Sequence, residues 1–253
     1  CMTTKIFRIG QIVPSSNTTM ETEVPAMLGA ALIDEDVKFT FHASRAPMKN
    51  VSHDELIAMN GHMSRCALEL TDARMDVIAS ACLVAIMCQG PGYHRQTEAT
   101  LRDVCREDAP DTKIVTSAGA LIDSLHAIGA KKISIITPYM KNLTTLVSNY
   151  IESESIEVID AISLEVPNNL KVGLLDPMDL LSTVNRLSVS NADAVVLSAC
   201  VQMPSLAALA PAQASFDVPV LSTAAATVFQ ILRALGIRAQ VPGGGMLLSG
   251  DYG

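Results

Sequence analysis

The sequence predicts an α/β fold of two pseudo-symmetric lobes, each built on a parallel-strand sheet, with an active site in the cleft between them. Three observations carry this expectation. Short β-branched runs alternate with helix-length amphipathic stretches, the pattern of βα units. The runs are apolar on both faces, as strands covered by helices on two sides must be. Landmarks of the first half also return, in the same order, in the second.

Taken in order, the strands are expected at Ile6–Val13, Val37–His42, Val77–Ala81, Lys113–Val115, Ile133–Thr137, Glu157–Ile162, Ala194–Ser198 and Val218–Leu221. The segment Thr19–Leu32 reads as a helix that Pro25 either kinks or begins. Ser52 and Glu55 have capping-box spacing and open a helix over Asp54–Glu69. Another helix covers Arg95–Glu107. Those at Ala118–Ile128 and Ala224–Leu235 stop at Gly129 and Gly236, which supply left-handed C-caps. Asp176, Pro177 and Asp179 provide an N-cap, a proline at the first helical position and a first-turn acid for Met178–Leu187.

The repeat is the most informative feature. Asp76-Val-Ile-Ala-Ser-Ala-Cys82 is answered by Asp193-Ala-Val-Val-Leu-Ser-Ala-Cys200. Lys5-Ile-Phe-Arg-Ile-Gly-Gln-Ile-Val-Pro14 parallels Lys132-Ile-Ser-Ile-Ile-Thr-Pro138, and Ala46-Pro47-Met-Lys-Asn parallels Val166-Pro167-Asn-Asn. Two copies of one unit then divide the chain into a first lobe at residues 1–117 and a second at 118–221, with the C-terminal helix in 222–253 packing back on the first.

Composition narrows the function classes. A net charge of −8 without a Lys/Arg cluster excludes nucleic acid and the membrane surface as partners. The longest apolar run, Val77–Met87, is about half of a membrane span. Lys5–Val13 lacks the layout of a signal peptide. With Cys1 set aside, five cysteines remain, without C-x-x-C or paired Cys/His spacing, so neither a disulfide framework nor a metal site is expected. These features fit a soluble, reduced, cytoplasmic protein. Its 49% hydrophobic and 17% charged residues suit a homodimer or homotetramer. Gly243-Gly-Gly245 follows no strand and opens no helix, so it fails as a phosphate loop, and no cofactor is expected.

Cys82 and Cys200 each end an apolar strand, where open α/β sheets place their ligands and where backbone N–H groups of the next turn stabilise a thiolate. Duplicated lobes would set the two thiols on opposite walls of one cleft. The structural alternative is two buried packing cysteines. Cys66 and Cys105 fall within helices and read as packing residues. Cys88 lies near Cys82 but has no counterpart in the second copy. His94 reads as a general base or as a capping residue, and Gly90-Pro-Gly92 as a hinge or a plain turn.

The chain resembles the aspartate/glutamate racemase superfamily, and within it the maleate cis–trans isomerases, over essentially its whole length. The resemblance is carried by Val13-Pro-Ser-Ser-Asn17-Thr-Thr-Met-Glu, Ala79-Ser-Ala-Cys82-Leu-Val-Ala, Gly90-Pro-Gly, Thr137-Pro-Tyr139, Val166-Pro-Asn-Asn169 and Leu197-Ser-Ala-Cys200-Val-Gln. It implies Cys82 as nucleophile and Cys200 as proton donor. It also implies Asn17, Tyr139 and Asn169 as substrate-binding side chains, with backbone donors at Leu83, Val84, Val201 and Gln202. The implied activity is cofactor-independent conversion of maleate to fumarate through a succinyl-cysteine intermediate. Racemising relatives usually follow the first cysteine with Asn-Thr or Asn-Ser, where this chain has Leu83-Val84, which suits a substrate without an ammonium group. Arylmalonate decarboxylases keep only one of the two cysteines, so the pair argues against that activity. The rival enzyme reading is a racemase or epimerase using the cysteines as opposed acid and base; a silent dicarboxylate-binding protein and a redox switch are the non-enzymatic ones. Only Lys141 adds a cation to the motif segments, so backbone N–H groups must offset the substrate's charge. Modest affinity and an open cleft that closes on the ligand are expected.

Overall fold

The computed structural model describes residues 4–238 and 240–252, so Cys1 lies outside the described residues. All eight expected strands form. The first sheet contains β1 (Lys5–Pro14), β2 (Val37–Ala46), β3 (Val77–Ser80) and β4 (Lys113–Thr116) in the order β2-β1-β3-β4, all parallel. The second contains β5 (Lys132–Thr137), β6 (Glu157–Ser163), β7 (Ala194–Ser198) and β8 (Val220–Ser222) in the order β6-β5-β7-β8, again all parallel. Mapping β1 onto β5, β2 onto β6 and so on reproduces the order. The inner strands β1, β3, β5 and β7 are buried over most of their length, whereas the edge strands β2 and β6 are half-buried to exposed along most of theirs.

The duplication extends to individual hydrogen bonds. Asp76 Oδ2 accepts from the N–H of Arg8 at 2.6 Å, and Asp193 Oδ2 accepts from that of Lys132 at 2.8 Å. Just before the cysteines, the N–H of Ala81 donates to Ile12 at 2.7 Å and that of Ala199 to Ile136 at 2.9 Å. Where the fourth strands end, Thr116 and Ser222 both cap the following helix with their hydroxyls.

The helices are α1 (Met20–Ala30), α2 (His53–Gly61), α3 (Met63–Asp72), α4 (Leu83–Met87), α5 (Tyr93–Cys105), α6 (Ser117–Ala127), α7 (Lys141–Ser153), α8 (Asn169–Val172), α9 (Asp179–Val184), α10 (Leu206–Gln213) and α11 (Thr223–Ala234). The expected helix Asp54–Glu69 is two helices. The chain turns at His62, whose N–H bonds back to Met59, and the preceding Asn60-Gly61 pair is poor helix-forming sequence. The capping box is half formed. Ser52 accepts from Glu55 N–H at 3.4 Å, whereas the Glu55 carboxylate holds Lys49 N–H at 2.6 Å and Asn50 N–H at 2.9 Å. Pro25 lies inside α1 rather than at its start, the expected Met178–Leu187 shortens to α9, and the short α4 and α8 begin at Leu83 and Asn169. Gly129 (φ 74°) and Gly236 (φ 68°) supply the expected left-handed caps. The last helix, α11, packs against α1, α6, β3 and β4.

The two lobes meet along continuous polar seams rather than across an open cleft. One is made by Glu23 on α1, which accepts from the N–H groups of Ser205 (2.6 Å) and Leu206 (2.8 Å) and so caps α10 of the other lobe. Burial pushes this carboxyl up, against the pull of those two N–H groups and the Ser205 hydroxyl. Glu23→Leu leaves the N–H of the buried Ser205 and that of the half-buried Leu206 without an acceptor. It should cost about 2–4 kcal/mol and lower Tm by roughly 5–12 °C in differential scanning calorimetry. Glu23→Gln keeps one acceptor oxygen and avoids burying a charge, so it should stay within about 1 kcal/mol of the parent.

Candidate active site

Cys82 lies two residues past the end of β3. Its extended backbone (φ −148°, ψ 93°) turns the chain into α4, and the N–H of Ala85 faces its sulfur. Cys200 occupies the same place after β7. Its sulfur accepts from Gln202 N–H at 3.3 Å and faces the N–H of Met203 and the hydroxyl of Tyr139. The side chains are 3% and 4% exposed. Both sulfurs act on Tyr139, and Cys200 also acts on Cys82, so the three side chains lie close together.

Burial dominates the electrostatics here. It pushes the Cys82 thiol up to about 12, with only the Ala85 N–H opposing it and Cys200 and Cys88 adding to it. Burial also raises Cys200, but the Tyr139 hydroxyl and the N–H groups of Gln202 and Met203 pull the other way. Tyr139 is held well above the usual phenol range by burial, reinforced by its sulfur neighbour. The polar donors of the site are therefore concentrated on Cys200, not Cys82.

Around the thiols the other expected residues form the seam between lobes. Asn17 is fully buried; its Oδ1 accepts from Met20 N–H at 3.0 Å and its Nδ2 donates to the Val201 carbonyl at 3.2 Å. Asn169 donates from Nδ2 to Ser16 Oγ at 2.8 Å. Asn168, by contrast, caps α8 through the N–H of Lys171, so the adjacent asparagines divide a turn role from an inward one. The repeat-equivalent segments at 46–50 and 166–169 meet each other, with Asn50 bridged antiparallel to Asn168. Leu83 and Val84 are buried at the start of α4, and Val201 and Gln202 are buried just beyond Cys200.

These contacts correct the expectation of an open cleft. The lobes stand closed, because each supplies the hydrogen-bond partners that the other's buried groups need. His94 is also accounted for. Its Nδ1 meets the Tyr150 hydroxyl at 2.5 Å and its backbone N–H donates to the same oxygen at 3.1 Å. Beside it, Arg95 makes a two-pronged ion pair with Glu154 at 2.7 and 2.6 Å. This second seam ties α5 to α7, and burial lowers the His94 imidazole. Gly90 and Gly92 have positive φ and shape the turn into α5. Cys88 donates to the Ala85 carbonyl at 3.2 Å; Cys66 and Cys105 are buried on α3 and α5. Among the described residues there is no His/Cys/Asp/Glu group suited to a metal ion. Nor, among the described residues, is any helix long and apolar enough to cross a membrane.

Sequence reasoning missed Ser16, Glu23, Tyr150 and the side chain of Gln202. Ser16 and Gln202 lie within the Pro-Ser-Ser-Asn and Cys200-Val-Gln motifs and could have been suspected; Glu23 and Tyr150 carry no local signal.

Comparison with known proteins agrees with this geometry. The arylmalonate decarboxylase family model matches residues 9–248. A maleate isomerase of Geobacillus stearothermophilus is 56% identical over 98% of this chain and 99% of its own. A crystal structure of a cysteine-to-alanine maleate isomerase from Pseudomonas putida S16 with maleate superposes with a TM-score of 0.95, at 52% identity, over 98% of this chain and 99% of that one. A Nocardia farcinica maleate cis–trans isomerase, in a cysteine-to-serine form with a covalently bound succinylcysteine intermediate, does so at 0.93 and 41% identity, over 97% and 99%. The chain belongs to the arylmalonate decarboxylase family, and within it to the maleate isomerases of the aspartate/glutamate racemase superfamily.

Proposed function

We propose that this chain converts maleate to fumarate without a cofactor, through a succinyl adduct on Cys82, with Cys200 giving and reclaiming one proton. The observation that carries the reading is the pair of buried thiols at equivalent strand ends, with the Tyr139 hydroxyl facing the Cys200 sulfur. The activity of its close relatives supports it.

Chemically, the pair begins with one proton between two sulfurs. Three donors favour the thiolate on Cys200, which takes the proton of Cys82 as Cys82 attacks one alkene carbon. A C–S bond forms, and the π pair moves toward the far carboxylate. Cys200 then protonates the neighbouring carbon, leaving a thioether on Cys82 and a thiolate on Cys200. The former double bond is now single and rotates over a small torsional barrier. Reversal by the same groups expels the trans product and restores the starting protonation state. The Tyr139 hydroxyl and the N–H groups of Gln202 and Met203 thus serve the charge on Cys200 that persists through the intermediate.

In this reading Asn17, Asn169 and the backbone at Leu83, Val84, Val201 and Gln202 hold the two carboxylates, exchanging some interlobe bonds for bonds to substrate. Leu83-Val84 gives the wall no partner for an ammonium group, which favours an alkene diacid over an amino acid. Lobes at 1–117 and 118–221, with 222–253 returning to the first, a cytoplasmic homodimer or homotetramer, and freedom from nucleic acid and membrane complete the proposal.

The test is incubation with maleate, following its vinyl proton signal and that of fumarate by NMR, alongside aspartate and glutamate in deuterated water. Fumarate formation that stops on alkylation of Cys82 supports the reading; deuterium exchange into an amino acid with no fumarate would replace it by the racemase. Because burial raises both thiols, the thiolate is the minor form at neutral pH and grows as pH rises. The value of kcat/KM should therefore climb about tenfold per unit between roughly pH 6 and pH 8. A profile already flat over that interval would contradict a raised thiol.

A further inference from the structure

The side chain of Gln202 does more than its backbone. It is 2% exposed and stands two residues past Cys200. Its Nε2 donates to the Ser16 and Asn169 carbonyls, both at 3.0 Å. Its Oε1 accepts from Thr18 N–H at 3.1 Å and, at the limit of 3.5 Å, from Thr19 N–H. The backbone adds a bond from Thr19 Oγ1 to the Gln202 carbonyl at 2.7 Å, besides the N–H that faces Cys200 Sγ. Both donor hydrogens and the acceptor of one carboxamide are thus used, and in the buried interior each orphaned partner would be costly.

The partners share one property. Ser16 and Thr18 flank Asn17, Asn169 is itself the second amide of the site, and Cys200 is held by the same residue's own N–H. One planar group therefore ties three separate segments to one another. The packing also makes room for it: a Cβ added to Gly173 on the turn after α8 would lie 2.5 Å from Nε2. Glutamate at this position would aim an oxygen at two carbonyls, and a hydrocarbon would leave them unpaired.

We propose that the Gln202 carboxamide is a positioning residue that sets Asn17 and Asn169 in register with Cys200. This rests on the reading above that those asparagines contact the dicarboxylate. A group that only clamps the lobes would, on removal, loosen the protein and leave the chemical step intact. A positioning group lowers kcat, because small displacements of donors are felt most in the transition state.

The experiment uses Gln202→Met and Gln202→Glu in the full chain, with two readouts. Without substrate, iodoacetamide labelling is resolved by peptide mass spectrometry. Cys82 and Cys200 should react at least about tenfold faster in Gln202→Met, while Cys66 and Cys105, buried in helices α3 and α5, keep the wild-type rate. With maleate, kcat should fall about 10²-fold or more with KM changed less than about threefold, and Gln202→Glu should fall further. Wild-type labelling and wild-type kcat in Gln202→Met would overturn the proposal, as would selective labelling with an unchanged kcat. Should all four cysteines accelerate alike, Gly173→Ala decides: it keeps the amide but crowds its flexible end. Selective labelling and reduced kcat there support the proposal, and wild-type behaviour overturns it. If the wild-type protein leaves maleate unchanged, the substrate reading fails by itself, whereas labelling still reports on the register.

Discussion

Cys82→Ala is expected to lower kcat for maleate by at least about 10⁴-fold and to leave Tm nearly unchanged. The two halves of that expectation have different origins. Cys82 is the atom that converts a double bond into a rotatable one, and no neighbour can replace it. Cys200 faces the reacting space but sits among the donors that stabilise it as base and acid. Cys88 bonds to the Ala85 carbonyl one turn farther along. Tyr139, held well above the usual phenol range, has no accessible phenolate. The fold, in turn, loses only one sulfur from a site where burial already disfavours its ionised form. Stopped-flow or NMR turnover with calorimetry checks both halves. Residual activity within about tenfold of wild type would mean that another group forms the carbon bond.

The legible and illegible parts of this molecule differ in the range of the interactions that determine them. Strands apolar on both faces announce themselves, because every residue of β3 and β7 is buried and the only polar residue in each is a small serine at its end. The repeat then places Cys82 and Cys200 at equivalent strand ends before any coordinates are known. Local chemistry is nearly as readable: Gly129 and Gly236 end their helices as their type demands. The split of α2 from α3 was hidden because the capping signal at Ser52 gives the start of a helix and nothing about its end. The closed seam was invisible for a stronger reason. Asn17 meets Val201 across 184 positions of sequence, and Glu23 meets Ser205 across 182. Neither residue advertises its partner, since an isolated Asn before a helix and a Glu in a first turn each have ordinary local explanations. A sequence can show that two lobes exist while saying little about how polar groups close the space between them.

Cys200→Ser separates the two sulfur roles more sharply than loss of activity can. A serine hydroxyl is a far weaker acid than a thiol, so it is not ionised at the pH where Cys200 is. Addition of Cys82 to maleate can still be completed with a proton delivered through the serine or by water, but the return step needs a base to remove hydrogen from carbon. Neutral serine is not that base. Turnover should fall by about 10³-fold or more, and intact mass after incubation should show an increase equal to one maleate, located on the peptide containing Cys82. The adduct should be absent from the doubly substituted Cys82→Ala, Cys200→Ser protein. The same prediction tests the electrostatic asymmetry of the site. If the donors at Tyr139, Gln202 and Met203 serve a persistent thiolate on Cys200, removing that charge leaves the succinyl adduct without the group that drives its breakdown, and it accumulates. An adduct on position 200 in Cys82→Ser, at the rate seen on Cys82 in Cys200→Ser, would instead show that the two sulfurs are interchangeable and that the asymmetry has no chemical consequence.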